Sequence, residues 1–137
     1  MKLFIACSKY FYMQIPVIKE ELESYGHTVF LPNSYNFPMK EEEMKAKGLE
    51  AHVKWKSSML KKEKENILPV EGILVLNFEK HGQPNYIGGA TFLEMHTAFE
   101  SDKKIFLYNP IPDEKISKDE LIGFNPIILN GDLKLIK

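Results

Sequence analysis

The chain has 137 residues, a net charge of −1 and 44% hydrophobic residues, which is the size and composition of one ordinary globular domain. All 18 basic residues are lysines, and the absence of arginine, the side chain that most often binds phosphates and base edges, argues against a nucleic-acid polymer as partner. The lone Cys7 excludes an internal disulfide, no Cys/His cluster indicates a metal site, and no apolar run approaches the ~20 residues that cross a membrane, so we expect one cytoplasmic domain over residues 1–137.

Apolar runs alternate with amphipathic segments along the chain. In chain order the pattern predicts a strand at 3–7, a helix at 16–25, a strand at 27–31, a helix at 40–66 broken near Gly48, a strand at 72–76, a helix at 90–101, a strand at 104–108, a short helix at 117–122 and a strand at 126–129. Strands that alternate with helices predict an α/β fold, a parallel sheet with helices on both faces. For four to five strands the flavodoxin-like, doubly wound order 2-1-3-4-5 is the simplest topology.

This topology predicts where a ligand would bind. In the order 2-1-3-4-5 the crevice lies outside the carboxyl ends of strands 1 and 3. The loops at residues 8–12 and 77–91 should therefore border it. By contrast, the lysines within residues 54–64 form a charge run in a segment that also carries glutamates, which indicates a solvated helix face.

The loop before the helix at 90–101 carries the residues that are best suited to catalysis or ligand binding. Gly88 and Gly89 allow a close backbone approach or a positive φ. Thr91 fits a helix cap or first turn, and Glu94 follows it, where the helix N-terminus would keep the carboxylate ionised as a nucleophile needs. Two alternatives remain open: the Thr-x-x-Glu spacing also fits a capping box, and the two glycines also fit a tight loop without a ligand.

Three segments together resemble a known family. They are Gly72-Ile-Leu-Val-Leu-Asn77, Asn85-Tyr-Ile-Gly-Gly-Ala-Thr-Phe-Leu-Glu94-Met and Lys104-Ile-Phe-Leu-Tyr108-Asn-Pro. The stretch they cover resembles the nucleoside 2-deoxyribosyltransferase superfamily, and in particular its small members. The resemblance implies a flavodoxin-like fold and a homodimer or higher homo-oligomer, and a crevice on so short a chain could need a neighbouring subunit to close it.

The resemblance also implies an activity. In this family a glutamate at the start of a helix attacks C1′ of the sugar, and the glycosyl-enzyme then passes to water or to a second base, as in retaining glycosidases. Glu94 is the residue at that motif position, and Tyr10, with Tyr12 as second choice, would orient it. The expected reaction is cleavage or exchange at the N-glycosidic bond of a nucleoside or nucleoside 5′-monophosphate, without a metal or cofactor.

The remaining site residues follow from the same resemblance, with departures. Asn77 and Asn85 stand where many family members carry aspartates, and an amide can hydrogen-bond a base but cannot protonate it. The full set of expected substrate contacts is Ser8, Asn77, Asn85, Tyr86, Gly88, Gly89 and Thr91. The loss of two acids keeps two alternatives open: a non-catalytic nucleotide sensor of the same fold, or an interaction module that uses the lysine-rich helices at 40–66.

Overall fold

A computed structural model describes residues 1–114 and 117–137 and shows an α/β fold with a five-stranded, all-parallel sheet. The strand order is β2-β1-β3-β4-β5, so the predicted flavodoxin-like order is confirmed. The strands are β1 (Lys2–Ala6), β2 (Thr28–Phe30), β3 (Gly72–Val75), β4 (Lys104–Leu107) and β5 (Ile127–Ile128). The helices are α1 (Ile15–Ser24), α2 (Lys40–Lys47), α3 (Leu49–Lys61), α4 (Glu63–Ile67), α5 (Gly89–Glu100) and α6 (Lys118–Gly123).

After their first residues, the central strands β1, β3 and β4 are apolar at every position, because helices cover both faces of the sheet. Side chains alternate across a strand, so Leu3 and Ile5 of β1 pack in one core cluster while Phe4 and Ala6 pack in the other. The first cluster is covered by α1 and the C-terminal segment. The second is covered by α4, α5 and α6, which contribute buried apolar side chains including Ile67, Met95, Ala98 and Leu121. This packing holds the carboxyl ends of β1 and β3 side by side.

The connection from β1 to α1 is more regular than a loop. Residues Lys9–Gln14 form a 3₁₀ helix, and the Ser8 hydroxyl accepts a hydrogen bond from the Tyr10 backbone N–H at 3.3 Å. Phe11 is buried and anchors this turn to the core. Because consecutive side chains of a 3₁₀ helix point about 120° apart, burial of Phe11 sends its two tyrosine neighbours in different directions.

The charged segment at residues 40–66 folds as separate helices, as the break predicted near Gly48 requires. Gly48 has a φ of +119°, which a residue with a Cβ rarely adopts, and it separates α2 from α3. We call α2 and α3 together the helical arm; neither helix has a fully buried residue. The Lys9 ammonium pairs with Glu42 and ties the arm to the β1–α1 connection. Within the described part of the chain, no helix combines the length and apolarity needed to span a bilayer.

Candidate functional site

A cavity of about 270 Å³ opens at the carboxyl ends of β1 and β3, the edge that the strand order predicts. Cys7 and Ser8, directly after β1, form one side of it. The start of α5, including Glu94, forms another. The helical arm and the segment at 32–38 complete the wall, so the cavity lies between the sheet edge and the arm.

The start of α5 places its side chains differently from a capping box. The N-cap is Gly88, and no side chain caps the helix. Thr91 is therefore a buried residue of the first turn, and Glu94 lies in the second turn. Since the Thr-x-x-Glu pair does not span the N-cap and N3 positions, the capping alternative is wrong. Glu94 instead contributes to the cavity wall.

The two glycines do not serve a left-handed turn. Gly88 has a φ of −81°, and the residues of this loop with a positive φ are His81, Gly82 and Asn85. A Cβ added at Gly89 would meet no atom within 4 Å, and Gly89 lines the cavity. The predicted positive φ is therefore wrong, whereas a close approach of a ligand to these glycines stays a prediction, as does a tight loop without a ligand.

Burial dominates the electrostatics of Glu94. Loss of solvent, followed by the negative charge of Glu63, raises the pKa of the Glu94 carboxyl to about 8, and Lys56 opposes this rise. The expectation that the helix N-terminus keeps Glu94 ionised is therefore wrong at neutral pH. The helix dipole acts mainly within the first turn, and Glu94 lies beyond it.

Two further groups on the cavity wall are close enough to respond to Glu94. Burial, and then the Glu94 charge, raises the pKa of the Cys7 thiol to about 12. The pKa of the Tyr12 hydroxyl is also raised, by burial first and then by Cys7 and Glu94. Both groups consequently stay protonated at neutral pH, and the Tyr12 hydroxyl can donate a hydrogen bond from the cavity wall.

The structure brings five of the predicted site residues together and leaves four outside. The residues that line the cavity are Ser8, Gly88, Gly89, Thr91 and Glu94. Those that do not line it are Tyr10, Asn77, Asn85 and Tyr86. Tyr10 is 54% exposed and packs against His81, with 5.2 Å between ring centroids. Tyr12, the second choice for the orienting role, lines the cavity in its place.

Asn77 has a structural task in place of the expected base contact. Its side chain is fully buried, and its Nδ2 donates to the backbone carbonyls of Asn109 and Pro110, both at 3.0 Å. Its Oδ1 accepts from the Asn109 N–H at 2.8 Å. These bonds join the ends of β3 and β4 and leave the Asn77 amide engaged on both its oxygen and its nitrogen. Tyr86 packs beside Gly88 and under Lys80, whose Nζ is 4.7 Å from the ring centroid.

The arm and α4 supply site residues that sequence reasoning missed. The residues of these helices that line the cavity include Trp55 and Lys56 of α3 and Glu63 of α4. The prediction that the lysines of this segment form a solvated helix face is therefore wrong for Lys56. The incomplete apolar stripe of this segment could have indicated them. Trp55 is a large aromatic side chain in a charged segment that contributes no residue to the buried core, which favours a role in a cavity wall.

Lys56 and Glu63 are each held by a second partner. The Lys56 ammonium is 3.5 Å from Glu41 Oε2, which also contacts His52 Nε2 at 2.9 Å. Burial works to raise the pKa of Glu41, but His52 and Lys56 outweigh it and the pKa lies below its usual value. Glu63 Oε2 accepts from the Thr97 hydroxyl at 3.3 Å, and burial raises the Glu63 pKa despite this bond. Because Thr97 is three residues after Glu94 on α5, the bond holds Glu63 about one helical turn from Glu94.

What the cavity can do chemically follows from this set. It offers the carboxyl group of Glu94, whose pKa is strongly raised, the further carboxyls of Glu41 and Glu63, and three ammonium groups, from Lys9, Lys56 and Lys80. Hydroxyls come from Ser8, Tyr12, Ser34 and Thr91. Within residues 1–114 and 117–137 no three His, Cys, Asp or Glu side chains are grouped as a metal site requires. No protein-family model matches the chain, and no curated protein matches it.

Proposed function

We propose that this protein cleaves or exchanges the N-glycosidic bond of a nucleoside or nucleoside 5′-monophosphate, with Glu94 as nucleophile, as the resemblance to the nucleoside 2-deoxyribosyltransferase superfamily implies. The observation that carries the proposal is the position of Glu94 in a cavity at the carboxyl ends of β1 and β3. Its neighbours there, the glycines and Thr91 at the start of α5 and Ser8 after β1, are polar or small enough to contact a sugar or phosphate.

The proposed reaction has two displacements. A Glu94 carboxylate oxygen attacks C1′, the C1′–N bond breaks, and its electron pair leaves with the base, which takes up a proton from solvent. Water or a second base then attacks C1′, loses a proton to solvent and releases Glu94 as a carboxylate, so the configuration at C1′ is retained overall. The Tyr12 hydroxyl, close to Glu94 and protonated, is assigned the orienting role.

The raised pKa of Glu94 sets a condition on this mechanism. The nucleophile must be ionised, and a carboxyl with a pKa of about 8 is ionised in only about one molecule in ten at pH 7. The rate of base release should therefore rise with pH through about 8. A general acid would show the opposite trend, with the rate falling as pH rises through the same value.

The test is direct. The protein is incubated at pH 7 and pH 9 with deoxynucleosides, ribonucleosides and their 5′-monophosphates, and free base is measured by chromatography. We expect Glu94→Gln to lower the rate by at least about 10³-fold. Glu100→Gln is the matched control, because Glu100 is an exposed carboxylate at the end of the same helix. Base release that persists in Glu94→Gln contradicts the nucleophile assignment.

A nucleotide-binding sensor is the second candidate, and two observations favour it. Glu94 is largely protonated at neutral pH, and Asn77 is fully engaged in holding β3 to β4. Such a protein would bind one of the nucleotides in a calorimetric titration and release no base at either pH. Tight binding without release at pH 9, where Glu94 is ionised, favours the sensor over the enzyme.

A further inference from the structure

The cavity wall that the arm provides differs chemically from the wall at the sheet edge. Polar and small groups of Ser8, Thr91 and Glu94 lie at the sheet edge. Most of the large apolar side chains lie on the other side, where the arm and the segment before it contribute Pro32, Pro38, Trp55, Met59 and Leu60. They stand there beside the polar Asn33 and Ser34 and the charged Glu41 and Lys56. A ligand with one polar and one flat, apolar part would match this division.

Trp55 is the aromatic side chain on the arm side of the cavity. It is partly buried, and together with Met59 it also lines a second cavity of about 510 Å³. Trp55 and Met59 therefore border both cavities. Asn33 and Ser34 border both of them, and Asn33 is fixed by a hydrogen bond from Asn66 at 2.8 Å.

The other candidates for contact with a base are placed elsewhere. Asn77 is engaged within the protein, and Tyr86 does not line the cavity. Of the two aromatic residues that line the cavity in the described part of the chain, Tyr12 lies close enough to Glu94 for their charges to interact, at the reacting end. This leaves Trp55 as the aromatic surface that the arm contributes to the cavity.

We propose that Trp55 forms the base subsite: the nucleobase stacks on its indole ring, with Met59 beside it and the polar groups of Asn33 and Ser34 at the edge of the base. This inference rests on the proposed function, since it assumes a ligand that carries a base. Stacking tolerates any base because every base has a π face, so the subsite selects for a planar ring more strongly than for one particular base.

The test uses the fact that Trp55 is the only tryptophan of the chain. Protein fluorescence excited at the indole band is followed while adenosine, AMP or ribose 5-phosphate is added. We expect quenching by the two probes that carry a base and none by ribose 5-phosphate. In calorimetry, Trp55→Ala should weaken AMP binding about tenfold or more, and Trp55→Phe should weaken it less.

The control variant is Leu49→Ala, because Leu49 lies on the same helix, is 78% exposed and lines neither cavity. It should bind AMP as the unmodified protein does, and circular dichroism checks that all three variants keep their helices. AMP binding or base release that is unchanged in Trp55→Ala overturns the base subsite and leaves the proposed function standing. Failure of every nucleoside and nucleotide to bind the unmodified protein overturns both.

Discussion

Replacing Glu63 by glutamine should move the titration of Glu94 toward neutral pH. Glu63 lines the same cavity and is held about one helical turn from Glu94 by its bond to Thr97. Its charge is the second cause of the raised Glu94 pKa, after burial. Glutamine keeps the shape and the capacity to accept from Thr97 but removes the charge, so the substitution isolates the electrostatic part.

The magnitude can be worked out from the surroundings. A like charge nearby shifts a carboxyl equilibrium by about 1 to 3 pK units, and the lower end applies here because Glu63 is partly solvated and faces Lys56. This corresponds to about tenfold in proton affinity, or about 1.4 kcal/mol. At pH 7 the ionised fraction of Glu94 would rise from about one tenth to about one half, and a rate that depends on ionised Glu94 would rise about fivefold.

The assay is a carboxyl titration by nuclear magnetic resonance on protein labelled with ¹³C at glutamate side chains, with Glu94→Gln to assign the signal. The pH profile of base release provides a parallel measurement. Glu65→Gln is the control, since Glu65 is an exposed carboxylate of α4 that does not line the cavity. A Glu94 midpoint near 4.5 in the unmodified protein refutes the reasoning about burial, and an identical midpoint in Glu63→Gln refutes the coupling.

Three further outcomes are expected. The pKa of Glu94 is ordinary in the unfolded chain and about 8 in the folded protein, so between these pH values the folded state holds a proton that the unfolded state has lost. The free energy of unfolding, measured in urea, should therefore fall by on the order of a few kcal/mol as pH rises from 5 to 8, and Glu94→Gln should flatten that slope. Asn77→Ala should lower the free energy of unfolding by about 2–4 kcal/mol, because it removes the hydrogen bonds that this fully buried side chain makes with the segment after β4, and a loss under 1 kcal/mol would contradict this role. Gly89→Ala should change stability by less than about 1 kcal/mol, since its Cβ meets open space, yet weaken AMP binding in calorimetry; unchanged binding would mean that no ligand approaches Gly89.

The sheet could be predicted because its strands are buried on both faces. Residues 3–6 and 72–75 are apolar at each position except Gly72, which is a pattern that a solvent-facing element does not tolerate. With alternating helices, the handedness of the crossovers then leaves few strand orders. The position of the cavity follows from that order, and so does the presence of Glu94 in its wall.

The orienting tyrosine could not be chosen from the sequence, because Tyr10 and Tyr12 flank the same buried Phe11. Only the 3₁₀ geometry of Lys9–Gln14 decides which of the two faces the cavity, and turns of that kind have no strong sequence signature. The protonation state of Glu94 could not be predicted from the sequence for a related reason. The helix start is visible in the sequence, whereas burial and the approach of Glu63 arise from packing between distant segments.

The arm was the least predictable part because it buries no residue completely, so its apolar pattern is weak. The absence of buried residues also distinguishes the arm from the other elements that line the cavity. The sheet edge, built on a fully buried core, positions the carboxyl group and the start of α5, whereas the arm contributes one wall of the cavity from within the same chain. A neighbouring subunit is therefore not required to provide that wall. Because no arm residue is part of the buried core, we expect substitutions in this wall to leave the fold intact and to alter ligand preference.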